Sequence, residues 1–268
     1  MQRFVFQQSA SVAIRVSIAA FHSSPYYKTN MTSEEKDHPR WAAAWAAGIN
    51  PGDKFDAQMP LPALTKMVNE GSVPKGRALV PGCGRGYDVL LLAAPDRVTV
   101  GLDLSDIAIA AAEELYSSLP EGEGKGKPQR DSVVFQAGSF FDLPEDTNNK
   151  FDFVYDYTFF CALHMSVRAD WAQKMAAIIA PGGELCTIMY PIGEREGGPP
   201  YSVCEEDYRT LLEPLGFESF LIERLLPEMC HKGRAGVSLI SDEERKKMSL
   251  TTKDGGVPYT SIGRWRKK

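Results

Sequence analysis

The sequence lacks the features that mark several whole classes of protein. No stretch reaches the roughly 18 uncharged apolar residues that a membrane-spanning helix needs, so no membrane partner is expected. Positive charge is not in surplus: 30 Lys and Arg stand against 35 Asp and Glu, a formal net charge of -5. That removes the electrostatic case for a nucleic-acid partner. Cysteine is sparse and odd in number, five residues (Cys83, Cys161, Cys186, Cys204 and Cys230) with no Cys-x-x-Cys. Neither a disulfide framework nor a metal site is expected, and the set suits a reducing compartment. No internal repeat is present. Acidic residues are missing altogether from residues 1–30, which hold Arg3, Arg15, Lys28 and five serines. Arg-rich, Ser-rich and acid-poor is the composition of a mitochondrial transit peptide. A disordered tail ahead of a start at Met31 fits equally, so mitochondrial and cytoplasmic locations both stand.

What remains is ordinary globular material, 43% hydrophobic and 24% charged over 268 residues, enough for one large α/β domain over residues 31–268. Residues 34–47 read as a helix rich in alanine, with Trp41 and Trp45 on one face, and a second short helix fits 60–70. From residue 76 strands and helices alternate. Strands are expected at 77–80, 98–102, 132–136, 151–157, 184–190, 217–225 and 259–266. Helices are expected from 89, over 107–119 capped by Ser105, over 169–180 closed by Pro181-Gly182-Gly183, and over 205–212. Residues 121–130 and 227–256 read as loops. The alternation implies a seven-stranded, mostly parallel, doubly wound sheet covered by helices on both faces, a Rossmann-like fold with an N-terminal helical lid.

In such a fold a ligand sits beyond the carboxyl ends of the strands. The first strand–helix turn there is Gly82-Cys83-Gly84-Arg85-Gly86, where glycine lets the backbone turn tightly and a ligand approach closely. Asp103 ends the second strand, where an acid can accept hydrogen bonds from two ribose hydroxyls or cap the next helix. A dinucleotide calls for G-x-G-x-x-G with its pyrophosphate on the helix N-terminus. Here Tyr87 fills the place of the third glycine, which favours S-adenosylmethionine, a cofactor without phosphate. A nicotinamide-dependent oxidoreductase stays the alternative.

The segment Val80-Pro81-Gly82-Cys83-Gly84-Arg85-Gly86-Tyr87-Asp88, followed by Val100-Gly101-Leu102-Asp103, resembles motif I and its acidic partner in class I methyltransferases. Phe151-Asp152 and Asp156 to Ala162 resemble the fourth-strand motif of the thiopurine S-methyltransferase family, within it the plant-type thiol and halide methyltransferases. Ala180 to Leu185, Met189-Tyr190-Pro191, Gly197 to Tyr201 and Gly263-Arg264-Trp265 match the same group in order. The resemblance implies transfer of a methyl group from S-adenosylmethionine to a small thiol, halide or bisulfide, in a protein expected to be a monomer. It implies cofactor roles for Trp41 and Trp45 in a lid, for Gly82 and Asp103, for Ser139 and Phe140 beside the adenine, and for Tyr157 near the transferred methyl. Relatives place a third tryptophan where this chain has Gly52, so the lid is expected to lose a ring. A protein that binds S-adenosylmethionine without turnover is the reading this departure leaves open.

In-line displacement from a sulfonium asks mainly for alignment, and thiols ionise readily enough that a strong base is not obligatory. Beside Tyr157, Asp156 is therefore a candidate catalytic residue, either deprotonating the acceptor or bonding to backbone. His164 is a base or a helix cap. Cys83 and Cys161 read as small buried residues. Arg195 is an acceptor contact or a solvated charge, and Arg264 to Lys268 a solvated tail.

Overall fold

A computed structural model of the chain describes residues 39–53, 55–120, 127–147, 149–194, 196–232, 234 and 259–268. The expectations for residues 1–30, for Arg195 and for most of 227–256 lie outside them. The elements run α1 (Pro39–Ala46), α2 (Pro62–Asn69), β1 (Gly76–Pro81), α3 (Tyr87–Leu92), β2 (Arg97–Asp103), α4 (Asp106–Ser118), β3 (Val133–Ala137), β4 (Phe151–Tyr157), α5 (Arg168–Ile178), β5 (Ile179–Ile192), α6 (Glu205–Leu212), β6 (Phe217–Arg224) and β7 (Tyr259–Lys267). Among the described residues they build a seven-stranded sheet in the order β3-β2-β1-β4-β5-β7-β6. The pairs from β3 to β5 are parallel, and β7 runs antiparallel to both β5 and β6. The order reverses direction at β1, between β2 and β4, so the crevice of this sheet opens at the carboxyl ends of those three strands.

Side-chain alternation sorts the strands into two cores, as a sheet covered on both faces requires. Ala78, Val80, Phe153, Tyr155, Tyr157, Cys186 and Ile188 pack with Leu64 and Met67 of α2 and Val89 and Leu92 of α3. Their neighbours of opposite parity, Leu79, Val154, Leu185 and Met189, pack with Trp171 and Met175 of α5 and Tyr208 and Leu212 of α6. Helix α1 belongs to neither core: Trp45 and Ile49 rest on Ala108 of α4, which sets the amino-terminal segment over the carboxyl ends of the strands.

One boundary differs from the sequence reading. Helix α5 stops at Ile178, and Ile179–Gly183 already belongs to β5, with Ile179 paired to Phe151 and a register shift before Glu184 pairs with Phe153. Pro181 is the cause: it disfavours helical backbone at Ala180 and cannot itself continue the ladder, so the helix ends early and the strand enters through an irregularity.

Candidate functional site

The crevice at the reversal of strand order is a cleft enclosing about 1040 Å³, counting the space at its mouth. Gly82 and Gly84 of the turn, Leu102, Asp103 and Leu104 after β2, and Phe140, Thr158 and Phe159 line it, together with Trp41, Trp45 and Phe55 of the amino-terminal segment and with Tyr190 and Arg234. The glycines are required by geometry. Gly82 has φ +61° and a Cβ there would meet Phe159 Cδ2 at 2.8 Å; Gly84 has φ +52° and its Cβ would stand 3.5 Å from Trp45 Cζ2, beneath the lid.

Asp103 is buried at the tip of β2. Its Oδ2 accepts the Gly84 N–H at 2.9 Å and its Oδ1 accepts the Ser105 N–H at 3.0 Å. Burial pushes its carboxyl up, and those amides work against that. Each oxygen keeps a second acceptor direction, so the carboxylate holds the turn and still faces the cleft. Ser105 caps α4 as expected, accepting the Ala108 N–H at 3.4 Å.

The lid keeps three rings. Gly52 has φ +90°, a backbone position that strains any larger residue, and a Cβ on it would also push aside the end of the Gln58 side chain. Three residues on, Phe55 packs edge-on against Trp41 with centroids 5.2 Å apart and lines the same cleft. Phe55, a residue that sequence reading passed over, thus adds a third ring over the cleft although Gly52 carries none. An aromatic beside a Pro-Gly turn was the available signal.

Phe140 lines the cleft and stacks edge-on with Phe159 at 5.1 Å. Ser139 does not line it; its Oγ caps the short turn that follows, accepting the Phe141 N–H at 3.1 Å. Asp156 is also outside the lining. Its Oδ1 accepts the Phe160 N–H at 3.0 Å and its Oδ2 accepts Trp171 Nε1–H at 2.9 Å. Burial pushes this carboxyl up to about 6. Strand parity separates it from Tyr157: Asp156 shares the Val154 face, under α5, where both of its oxygens are engaged. Of the two roles left open for Asp156, backbone and side-chain anchoring is the one its contacts match.

Tyr157 lies on the opposite face. Its hydroxyl receives a hydrogen bond from Arg234 Nη1 and stands 3.0 Å from His231 Nδ1. The arginine can only donate, so the tyrosine oxygen accepts there; which of the hydroxyl and His231 Nδ1 donates to the other is set by the imidazole tautomer. Burial lowers the His231 imidazole to about 4, with Arg234 adding to the effect, so it stays neutral near pH 7. Arg234 is 8% exposed, lies over the rings of Tyr157 and Tyr190 at 5.4 and 5.2 Å, and lines the cleft. Among the described residues no carboxylate oxygen comes within ion-pair distance of it. Both residues fall in the tract that reads as a featureless loop, and only their place after β6 pointed to them.

The other candidates fall elsewhere. His164 is exposed and caps the turn Met165–Val167 by accepting the Ser166 N–H at 3.3 Å. Cys161 lines the cleft, yet burial lifts its thiol to about 12, and Cys83 is likewise pushed up by burial and by Asp103. Arg264 is not a solvated tail residue; it pairs with the buried Glu184 at 2.6 Å and bonds the Ser72 carbonyl. Thr158 occupies a left-handed backbone position, φ 61°, where β4 runs into the cleft. For a β-branched residue that is strain of about 1–2 kcal/mol.

A parallel core with an antiparallel β7, a glycine turn after β1 and an acid ending β2 define the class I methyltransferase architecture. Solved structures agree on the fold. An N-methyltransferase from Bradyrhizobium japonicum in complex with S-adenosylhomocysteine superposes with TM-score 0.55 at 15% identity, covering 84% of this chain and 97% of that one. A 1,6-didemethyltoxoflavin-N1-methyltransferase from Burkholderia thailandensis gives 0.53 at 15%, covering 86% of each. The thiopurine S-methyltransferase family model matches residues 36–248. A probable thiol methyltransferase 2 from Arabidopsis thaliana is 45% identical over 182 residues, 68% of this chain and 75% of that protein. A thiocyanate methyltransferase 1 from Brassica oleracea is 40% identical over 183 residues, again 68% and 75%. A thiopurine S-methyltransferase from Photobacterium profundum is 30% identical over 209 residues, 76% and 94%. The chain belongs to the thiopurine S-methyltransferase family.

Proposed function

We propose that the chain transfers a methyl group from S-adenosylmethionine to a small thiol taken as its thiolate, and that soft inorganic anions such as iodide and bisulfide enter the same place. The observation that carries this reading is the division of charge in the cleft. Asp103 stands at the glycine turn, and the buried Arg234 guanidinium, which has no carboxylate partner among the described residues, lines the same cleft over the Tyr190 ring.

The residues present fit the donor. It supplies a methyl group on a positively charged sulfur. Gly82 and Gly84 leave room for close backbone approach, Asp103 can accept from ribose hydroxyls, and Phe140 offers a face for the base. Trp41, Trp45 and Phe55 suit a cation through their ring faces. A pyrophosphate fits poorly, because the Asp103 carboxylate already takes the Gly84 amide and repels an anion at that turn. Arg85, the cation of the turn, is bound to Asp56. The nicotinamide alternative therefore finds no support here.

On the acceptor side Arg234 offers a positive charge in a water-poor place, where Coulomb attraction is stronger than in solvent. It lowers the pKa of a thiol bound beside it and so supplies thiolate without a base. Tyr157 and His231 fix the guanidinium by the hydrogen bonds described. Ser139 and Tyr157 support these positions from behind the lining. No described helix is long and apolar enough to cross a membrane, and we take the working unit to be one chain, since the described lining residues all come from it. The test is incubation of the full chain with methyl-labelled donor and a panel of alkyl and aryl thiols, bisulfide, iodide and chloride. Methylated thiols and methyl iodide are expected; absence of product across the panel removes the acceptor class.

A further inference from the structure

Arg85 sits in the middle of the glycine turn, where donor binding asks for backbone and leaves the side chain without a task. Its side chain reaches away to the amino-terminal segment. Nε donates to Asp56 Oδ2 at 2.9 Å and Nη2 donates to the Ile49 carbonyl at 2.7 Å. The guanidinium also stands over the Trp45 ring at 5.7 Å. Both partners are nearly withdrawn from water, with side chains 12% and 4% exposed. Asp56 spends its other oxygen on the same segment: Oδ1 accepts the Gln58 N–H at 2.9 Å and the Gly52 N–H at 3.4 Å. Burial and this carboxylate push the neighbouring Tyr87 phenol up to about 12. One carboxylate and one guanidinium thus tie the loop 49–58 to the turn, and Phe55 rides between the tied points.

We propose that Arg85 and Asp56 are positioning residues that form a latch. They couple the glycine turn to the ring-bearing segment 41–58, so that seating the donor at the turn and closing Trp41, Trp45 and Phe55 over it are one event. The inference rests on the reading of the cleft as the donor site and adds how that site closes. Ring contacts alone leave the segment free to slide, since an edge-on aromatic pair contributes about 0.5–1.5 kcal/mol and tolerates many offsets. A forked guanidinium with two acceptors fixes both distance and direction. Lysine keeps the charge and cannot reach Asp56 and Ile49 together. A buried pair of this kind contributes little net stability, yet it specifies one arrangement.

The test uses the full chain as wild type, Arg85→Lys, Arg85→Met and the double variant Arg85→Met/Asp56→Leu, which leaves no buried charge stranded. Two measurements are made on each: hydrogen exchange without any donor, and calorimetric titration with S-adenosylhomocysteine. Exchange in residues 41–58 is expected to rise in all three variants while β1, β2 and β4 keep wild-type protection. Affinity is expected to drop at least tenfold in Arg85→Met and the double variant and less in Arg85→Lys. In wild type, saturating S-adenosylhomocysteine protects 41–58; in the double variant it protects the turn and not the segment. Unchanged exchange and affinity within twofold in the double variant overturn the latch and leave the donor site standing. Loosening of the strands along with the segment overturns it as well, since the pair is then a general stabiliser. Failure of wild type to bind S-adenosylhomocysteine removes the donor reading itself, and the donor-free exchange still decides whether the pair holds the segment.

Discussion

Replacing Arg234 by methionine separates function from folding. The guanidinium is buried, has no carboxylate partner among the described residues, and donates to the neutral Tyr157 hydroxyl. Losing that bond costs about 1.5–3 kcal/mol. Removing a buried cation that has no carboxylate partner among the described residues returns several kcal/mol of desolvation, and methionine keeps most of the apolar stem. Folding stability is therefore expected to stay level or rise. Catalysis goes the other way. An anionic acceptor held about 4 Å from the charge in a medium of effective dielectric about 20 is favoured by about 4 kcal/mol. Its loss lowers kcat/KM by roughly a thousandfold, at 1.36 kcal/mol per decade. Thiols and iodide should also part company. For an alkyl thiol the kcat/KM profile of Arg234→Met shifts to higher pH, because nothing now lowers the pKa of the bound thiol; for iodide, which has no proton, the loss is independent of pH. Half-buried Asp88, raised to about 7 by desolvation against the pull of the Leu61 backbone and Arg234, moves further up and stays out of the reaction. The assays are methyl transfer to both acceptors from pH 6 to 9 and urea unfolding at pH 7. A variant with kcat/KM within threefold of wild type for both acceptors refutes the argument. So does one that unfolds with more than about 2 kcal/mol lost, because the guanidinium is then a folding group.

Asp103→Asn keeps one acceptor and turns an NH₂ toward either the Gly84 or the Ser105 amide. About 1–3 kcal/mol of stability should go, and affinity for S-adenosylhomocysteine should fall more than tenfold by calorimetry. Ser105→Ala, which removes only the cap, costs about 1 kcal/mol and should leave that affinity unchanged; equal affinity for Asp103→Asn and wild type removes the ribose role. The His231 imidazole is held at about 4 in the folded chain against 6.5 when unfolded. Between those values the unfolded state binds more protons, so this group's contribution to stability declines as pH falls through the window, by about 3 kcal/mol in all. Asp88 and Asp156, raised to about 7 and 6, act in the opposite direction. The clean measurement is the stability of wild type minus that of His231→Gln, flat above pH 7 and falling toward pH 4; a difference constant across that range shows the imidazole is not buried as described.

The half of the site built from neighbours in sequence was legible and the half built by distant chain was not. The glycine turn and the acid of β2 follow from alternation and from the residues at strand ends, and β4 begins and ends where alternation placed it, at Phe151 and Tyr157. The acceptor end depends on contacts 74 and 77 residues apart, between Tyr157 and the pair His231 and Arg234. That pair lies in an aperiodic tract, where no hydrophobic period announces which residues turn inward. Asp156 was ambiguous for a related reason. Period 2 puts it on the face opposite Tyr157, but only the structure shows that the Phe160 amide and Trp171, fifteen residues on, take up its two oxygens. The lid shows a third kind of limit. The sequence records that a ring is missing at Gly52, and only the structure shows Phe55 lining the cleft against Trp41.

The placement of protons argues for direct transfer to the acceptor. Cys161, the thiol that lines the cleft, is raised to about 12 and stays protonated, so an enzyme-bound thioether has no nucleophile to form from. Asp156 has both oxygens engaged in the other core, and His164 is occupied in a cap. His231 and Tyr157 do not line the cleft; the imidazole meets the Tyr157 hydroxyl behind it, and burial pushes that phenol's pKa further up. On the proposed reading, what faces the acceptor is a fixed positive charge among aromatic walls. Such a site would select partners that are nucleophilic once they are anions, and would give little help to an amine or alcohol that must shed its proton in the transition state. Thiols, and on the same proposal bisulfide and halides, are acceptors whose chemistry would ask for no more than this.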